Sequence, residues 1–168
     1  MAQLVEKIQA RVRVSRGEAE PLDGSVSLAP IARSHAGPQS LLELLNAPSR
    51  VIPIQCEADG LVLLLMRANV VWVAAPGLDP ELVCPPTYRV SREERVRLVF
   101  TDGSRVEGLI PMELPEDLNR VSDFLNEGSD FFPLVTANGT LLVNKLCVRE
   151  TLVYEDSPSP LTPGAEPR

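Results

Sequence analysis

The chain is poor in the residues from which most catalytic and metal sites are built. Its 168 residues include one histidine and three cysteines, and aromatic side chains make up only 4%. No two cysteines form a Cys-x-x-Cys pair, which excludes a zinc knuckle and a thioredoxin-type motif. A single histidine and dispersed cysteines do not build a recognisable closed tetrahedral site. We therefore expect neither a bound metal nor another cofactor.

Long hydrophobic runs and an excess of positive charge are also lacking. The apolar run from Leu61 to Met66, which no other run exceeds, is far shorter than the roughly 20 residues of a membrane helix. The N-terminus has no apolar segment after a basic stretch, so no secretory signal is expected. A formal net charge of −7 argues against phosphate-neutralising binding of nucleic acid and against docking on anionic membranes. These features predict a cytoplasmic protein that does not insert into a membrane.

Candidate catalytic groups are few. His35 lies in a Ser-His-Ala-Gly-Pro loop, which offers no third group to hold a catalytic histidine. The carboxylates Glu113, Glu116 and Asp117 come just before a predicted helix, and a helix N-terminus favours acidic residues electrostatically. No Gly-rich phosphate loop of standard spacing occurs. The sequence thus predicts no catalytic residues and a protein that is not an enzyme.

What the chain does contain is one pattern written twice. Strand-like, helix-like and proline-containing segments of the first half recur in the second half in the same order. The matches are Arg11-Val12-Arg13-Val14 with Arg95-Val96-Arg97-Leu98, Gly24 with Gly108, Leu44-Leu45-Asn46 with Phe124-Leu125-Asn126, and Val51-Ile52-Pro53-Ile54 with Phe131-Phe132-Pro133-Leu134. Such a recurrence indicates that one structural unit occurs twice in the chain.

Each copy predicts the element order β-β-α-β-β-β. Apolar and polar residues alternate in segments such as 7–15, as they do in a half-buried strand. Three dipeptides that favour tight hairpin turns join predicted strands: Asp59-Gly60, Asp102-Gly103 and Asn138-Gly139. Gly108 predicts a bulge or a strong bend in its strand.

Proline and asparagine recur at matching places. Pro53 and Pro133 fall inside predicted strands, and since proline lacks a ladder donor, we expect a sheet edge or a break in pairing there. Asn46 and Asn126 follow the helical segments. They predict helix ends in the left-handed conformation, which asparagine tolerates.

The predicted fold is mainly β, of the α+β class, with two tandem pseudo-symmetric β-β-α-β-β-β units. Each unit is expected to be a curved five-stranded sheet or a small open barrel with one short helix. The first repeat covers residues 1–75, a proline-rich linker 76–93, the second repeat 94–155, and a flexible tail 156–168. A unit of this size is only marginally stable alone, so we expect the two to pack together.

Two families resemble parts of the second copy. The segment from Arg95 to Ile110, with its Asp-Gly turn and its glycine-bent strand, resembles the opening of Sm-like small barrels. Asn144-Lys145 before the last strand is in keeping with that family, whereas a helix between the second and third strands departs from it. Arg89, Arg92, Arg95 and Arg97, followed by Asp102-Gly103-Ser104 and Gly108, resemble the motifs of PilZ domains, which bind cyclic di-GMP, although the spacings differ.

The functional prediction is a non-enzymatic protein–protein interaction module, an adaptor, assembly or regulatory subunit. Protein partners would bind through strand edges and loops of the duplicated unit, and a homo-oligomer is compatible with this interpretation. The predicted contact residues are Val71, Trp72 and Val73 in the first unit and Phe131 and Phe132 in the second. Ordinary burial in the core is the alternative for all five.

The alternative function follows from the two resemblances. Both imply a nucleotide-binding or RNA-binding protein, and the arginines at matching strand positions would carry that binding. The candidate residues are Arg11, Arg13, Arg92, Arg95 and Arg97. Salt-sensitive binding to RNA would be the signature of this alternative.

Overall fold

The computed structural model describes residues 6–17, 19–113 and 120–154, so the tail predicted at 156–168 lies outside the described residues. These residues form ten strands and three short α-helices. The strands are β1 (Ile8–Ser15), β2 (Leu22–Leu28), β3 (Val51–Cys56), β4 (Val62–Met66), β5 (Trp72–Ala74), β6 (Arg92–Phe100), β7 (Arg105–Met112), β8 (Phe131–Thr136), β9 (Gly139–Asn144) and β10 (Val148–Val153). The helices are α1 (Leu41–Leu45), α2 (Pro80–Val83) and α3 (Val121–Asn126), and 3₁₀ turns occupy Arg67–Asn69 and Lys145–Cys147. The prediction of a mainly β protein is confirmed.

All the described strands join one antiparallel sheet in the order β10-β6-β7-β8-β9-β5-β1-β2-β3-β4. Strands that follow one another in the chain form hairpins, namely β1–β2, β3–β4, β6–β7 and β8–β9. The N-terminal strands β1–β5 and the C-terminal strands β6–β10 occupy separate stretches of the sheet, and they meet where β9 pairs with β5. The sheet ends at β10 on one side and at β4 on the other.

Two hydrophobic cores lie against this sheet. The first core forms around α1, whose Leu41 and Leu45 are fully buried, and the second forms around α3. The cores exchange residues where β9 meets β5. Leu142 of β9 belongs to the first core, while Val71, just before β5, belongs to the second. Leu142 and Val71 are therefore buried at the junction between β9 and β5.

The predicted hairpin turns are confirmed. Gly60, Gly103 and Gly139 adopt positive φ angles of 71°, 86° and 113°, which glycine reaches without a steric cost. Gly108 is needed for a different reason, because a Cβ atom there would lie 2.6 Å from the carbonyl oxygen of Val135 and 2.7 Å from Cγ of Leu134. Its missing side chain lets β7 cross closely over β8.

Both strand prolines stand where pairing with one neighbour is interrupted. Pro53 pairs with Leu64 of β4, yet β3 pairs with β2 only beyond the proline, at Gln55 and Cys56. In the other half, β8 pairs with β7 at a single position, Val135. The expected break in pairing is present, since the proline nitrogen cannot donate to a ladder.

The expectation that Asn46 and Asn126 adopt the left-handed conformation is wrong, because no described residue other than glycine has a positive φ. Asn46 ends α1 with φ −92° and ψ 1°, outside the left-handed region. Its side chain acts instead, donating from Nδ2 to the carbonyl oxygen of Phe131 (3.1 Å) and accepting from the Phe131 amide (2.9 Å). Asn46 is therefore placed at the end of α1 by a hydrogen-bonded contact with β8.

Candidate interaction surface

Four of the five residues predicted to contact a partner are buried inside the protein. Val71, Val73, Phe131 and Phe132 are between 2% and 4% exposed. β5 is not an edge strand, because β1 pairs with it on one side and β9 on the other. Trp72 is partly buried against the second core. The expected exposed edge at Val71–Val73 must therefore be corrected: these residues are covered by β9 of the same chain.

The junction between β9 and β5 is a short antiparallel ladder. Its paired residues are Trp72 with Val143, Val73 with Leu142 and Ala74 with Leu141. The backbone nitrogen of Asn144 continues it by donating to the carbonyl oxygen of Val71 at 2.9 Å. This ladder joins the N-terminal and C-terminal strands into one sheet.

A buried amide reinforces the same junction. The Asn144 side chain is 0% exposed, and its Nδ2 donates to the carbonyl oxygen of Val70 at 2.9 Å, with Arg67 and Ala68 carbonyls at 3.3 and 3.5 Å. Its Oδ1 accepts from the Leu146 amide at 3.1 Å. Both ends of the amide are used, as a buried polar group requires.

The edge at β4 is apolar, and no other described strand covers it. Three of its side chains point away from the first core and are widely exposed, Val62 at 64%, Leu64 at 62% and Met66 at 49%. The next residues inward, Leu63 and Leu65, pack against the first core. β4 thus presents apolar side chains together with a row of backbone groups that pairs with no strand in the described part of the chain. Such a row is a template for pairing with another strand.

The opposite edge, β10, is more polar. Arg149 and Glu150 are exposed and lie 3.6 Å apart as an ion pair. Leu152 and Val153 further along are 49% and 40% exposed. β10 pairs with β6 and, among the described residues, with no other strand.

The candidate arginines are held by carboxylates rather than gathered into one site. Arg11 pairs with Glu57 at 2.8 Å and Arg13 with Asp23 at 3.3 Å, both on the exposed surface of the N-terminal half. Arg92 pairs with Glu94 at the start of β6. Each of these three arginines therefore has a carboxylate partner different from the one that Arg95 and Arg97 share.

Arg95 and Arg97 share one carboxylate on the C-terminal half. Arg97 donates from Nε and Nη2 to Glu107 at 3.1 and 3.0 Å, and Arg95 lies 3.6 Å from the same carboxylate. The Tyr154 hydroxyl also donates to Glu107, at 2.8 Å, while its ring lies under the Arg95 guanidinium. Burial opposes ionisation of Glu107, but the hydrogen bonds from Tyr154 and Arg97 lower its pKa overall. Both guanidiniums are thus engaged by the Glu107 carboxylate, which offsets one of their two positive charges.

His35 is held by a partner that the sequence did not indicate. Its Nε2 lies 2.7 Å from Oε1 of Glu43, and its side chain is only 5% exposed. The hydrogen bond to Glu43, followed by that to the Ala36 carbonyl, raises the pKa of His35. Glu43 also forms a capping box with Ser40 at the start of α1. The histidine therefore fastens the loop before α1 to the helix.

A cleft of about 480 Å³ lies between α1 and α3, lined by Leu42, Tyr88, Glu113, Phe124, Phe132 and Lys145 among others. Lys145 donates from Nζ to the carbonyl oxygens of Phe124 and Glu127 at 2.8 and 2.6 Å, and burial lowers its pKa. Tyr88 donates to the Pro111 carbonyl at 2.6 Å. These side chains tie the end of α3 and the linker to the sheet.

Across residues 6–17, 19–113 and 120–154, no group of three or more His, Cys, Asp or Glu side chains could hold a metal ion. The same residues contain no helix that is long and apolar enough to cross a membrane. The three cysteines are free thiols.

Comparison with known proteins gave no match. No family model matches the chain, and the searches of curated proteins and of solved structures found no significant match.

The exposed β4 edge was missed by sequence reasoning, although one signal was present. Leu61 to Met66 are apolar at every position, whereas a strand covered on one face normally alternates. A strand that is apolar on both faces needs a second packing partner. In the structure, the face of β4 formed by Val62, Leu64 and Met66 is exposed.

Proposed function

We propose that the chain is a non-enzymatic protein–protein interaction module, built from a duplicated β unit that offers strand edges to protein partners. The first unit would comprise β1–β5 with α1, and the second β6–β10 with α3. The partner would add a strand to the sheet, a mode in which main-chain hydrogen bonds give affinity and alternate side chains give specificity.

Strand order supports the duplication. Within the sheet, the run β5-β1-β2-β3-β4 corresponds, strand for strand, to β10-β6-β7-β8-β9. In each run a helix lies between the second and third strands of the unit, and a 3₁₀ turn leads into the last. Gly24 and Gly108 also correspond, because a Cβ atom at either would collide with the neighbouring strand.

The observation that carries the functional proposal is the exposed apolar edge at β4. Four apolar residues within one six-residue segment are each between 49% and 67% exposed, namely Leu61, Val62, Leu64 and Met66. An exposed apolar strand edge is a liability that proteins usually blunt with charge, proline or a cover. Charged side chains are absent from Leu61 to Met66, which is the expected design of an edge that is covered by a partner.

The experiment is an affinity purification from cells that produce the tagged chain together with an untagged copy of it, run in parallel with two tagged variants. Leu64→Lys places a charge on the β4 edge, and Val135→Lys places the same charge on the partly exposed central strand β8. We expect partner proteins to be recovered with the unmodified chain and with Val135→Lys, and to be lost with Leu64→Lys. Recovery of the same proteins with Leu64→Lys, or of none at all, would overturn the proposal.

A further inference from the structure

We propose that the chain binds further copies of itself head to tail, with β4 of one copy paired to β10 of the next. The register would be the one in which β9 pairs with β5 inside the chain. This inference rests on the proposed interaction module and names its partner, a second copy of the same chain.

The hairpin registers define which residues of β4 and β9 are equivalent. Pro53 pairs with Leu64 in one hairpin, and Pro133 pairs with Leu142 in the other. Because the two prolines match in sequence, Leu64 corresponds to Leu142. β4 is thus the counterpart of the strand that β5 covers, but none of the strands in residues 6–17, 19–113 and 120–154 covers β4.

The same reasoning relates β10 to β5. Arg13 pairs with Ala74 in the first half, and Arg97 pairs with Leu152 in the second. Since the two arginines match in sequence, Leu152 corresponds to Ala74. β10 is therefore the counterpart of the strand that covers β9, and among the described strands none pairs with its outer edge. The sheet of one chain ends in two complementary edges.

Transfer of the internal ladder to these edges gives the register between copies. The internal pair Ala74–Leu141 becomes Leu152 of one copy with Leu63 of the next. The remaining internal pairs Val73–Leu142 and Trp72–Val143 become Thr151–Leu64 and Glu150–Leu65.

Burial shows what such a contact would cover. Leu142 is 1% exposed because it reaches across the junction and packs in the first core, which the N-terminal strands form. Its counterpart Leu64 is 62% exposed. Pairing with β10 would place Leu64 against the second core of the adjoining copy, and apolar burial is the main driving force of such association.

The asparagines at the ends of α1 and α3 provide a second pair of equivalent contacts. Asn46 at the end of α1 holds the backbone of Phe131 with two hydrogen bonds, of 3.1 and 2.9 Å. Its counterpart Asn126 at the end of α3 is exposed and makes no side-chain hydrogen bond to the described residues. The counterpart of Phe131 is Val51. Within one chain the Ser49 hydroxyl contacts the Val51 carbonyl oxygen and amide, at 2.9 and 3.4 Å. The Asn126 amide of a second copy would take its place on the Val51 backbone.

Two differences make the contact between copies weaker than the internal one. Met66 stands in β4 where β9 has the anchoring amide of Asn144. Arg67 and Asp130 lie 3.6 Å apart at the internal junction, whereas their counterparts are Lys145 and Arg50, which carry like charges. We expect a reversible assembly that grows with protein concentration.

The decisive experiment mixes two purified variants, Leu63→Cys and Leu152→Cys, under oxidised glutathione. The pair is a non-hydrogen-bonded one by the alternation of the internal ladder, so the side chains are close. We expect a covalent dimer in the mixture and little in either variant mixed with unmodified chain, which controls for the native thiols. Absence of the mixed dimer, or an equal yield from Leu63→Cys alone, would overturn the head-to-tail contact.

A gain-of-function variant provides a test that unfolding cannot mimic. Arg50→Asp with Met66→Asn restores the charge and the amide of the internal junction at β4. We expect its light-scattering mass to rise at a protein concentration several-fold lower than for the unmodified chain, and Leu64→Lys to remain monomeric while Val135→Lys still assembles. Masses equal to a monomer for all four proteins would overturn the inference. If β4-dependent foreign partners were then still recovered from cells, the interaction module would stand without self-assembly.

Discussion

Strands β9 and β4 occupy equivalent places in the two halves of the sheet and differ in what covers them. β5 covers β9, and Leu142 and Val143 are 1% and 0% exposed. Among the described strands β4 pairs only with β3, and Leu64 is 62% exposed. Similar apolar sequences thus become core in one half and surface in the other. Neighbouring strands, and not local composition, decide which residues are buried.

The largest expected contrast concerns the two leucines. Leu142→Ala removes a fully buried side chain and should lower the free energy of unfolding by about 2–5 kcal/mol. Leu64→Ala, measured at low protein concentration, should change it by about 0.5 kcal/mol or less because the side chain is exposed. Urea denaturation of both variants measures the contrast. Equal losses would mean that β4 is covered within the monomer.

The next contrast is between Asn144 and Met66. Asn144→Ala leaves the Val70 carbonyl and the Leu146 amide without their partner, which should cost about 1–3 kcal/mol. Met66→Ala should cost about 0.5 kcal/mol or less. Thermal unfolding followed by circular dichroism would report both. A loss for Met66→Ala as large as that for Asn144→Ala would contradict the unequal roles of the two strands.

The asparagines at the helix ends should differ by less. Asn46→Ala removes two hydrogen bonds to Phe131, and a net loss of about 1 kcal/mol is expected. Asn126→Ala should leave the monomer's free energy of unfolding unchanged and should weaken only its concentration-dependent assembly. Denaturation and light scattering on the same two variants separate these effects. Comparable losses of monomer stability would contradict the assignment of Asn126 to a contact between copies.

The smallest effect distinguishes the two helix starts. α1 has the Ser40–Glu43 capping box with His35 attached, whereas the N-cap of α3, Arg120, makes no side-chain capping bond. His35 is the only histidine, so its ring signals can be titrated by NMR. We expect a pKa above 6.5 that falls towards 6.5 in Glu43→Gln. The exposed Glu57→Gln serves as a control and should leave it unchanged.

The direction of the pH effect on stability follows. Because His35 has a raised pKa in the folded state, its contribution is fully present below its unfolded pKa of 6.5 and is lost as pH rises through the folded pKa. A His35 pKa at or below 6.5 would remove this contribution and contradict the contact with Glu43.

Local features of the fold could be predicted from sequence, while the order of strands between the halves could not. Asp-Gly and Asn-Gly turns fix hairpins through residues adjacent in the chain, and the prolines mark breaks because they lack a donor. The pairing of β9 with β5 joins residues far apart in sequence, and nothing local specifies it. For that reason Val71–Val73 were expected at an edge that the structure places in the centre of the sheet.

The sequence predicted that strand edges form the candidate surface, but not which strands lie at the edges. That depends on the pairing of β9 with β5, which leaves β4 and β10 at the ends of the sheet. The unbroken apolar run from Leu61 to Met66 was the available indication, because a strand with one buried face does not need apolar residues on both. The contact between His35 and Glu43 left no sequence pattern, since it depends on how the loop folds back onto α1.

Backbone amide exchange measured by NMR over a range of protein concentrations tests the central claim most directly. Asn144 donates across the internal junction, so by equivalence the amides of Leu64 and Met66 point outwards from β4. We predict that these two amides exchange rapidly in dilute protein and become protected as concentration rises, while the Asn144 amide is protected throughout. Rapid exchange of Leu64 and Met66 at every concentration would contradict the pairing of β4 with a second copy.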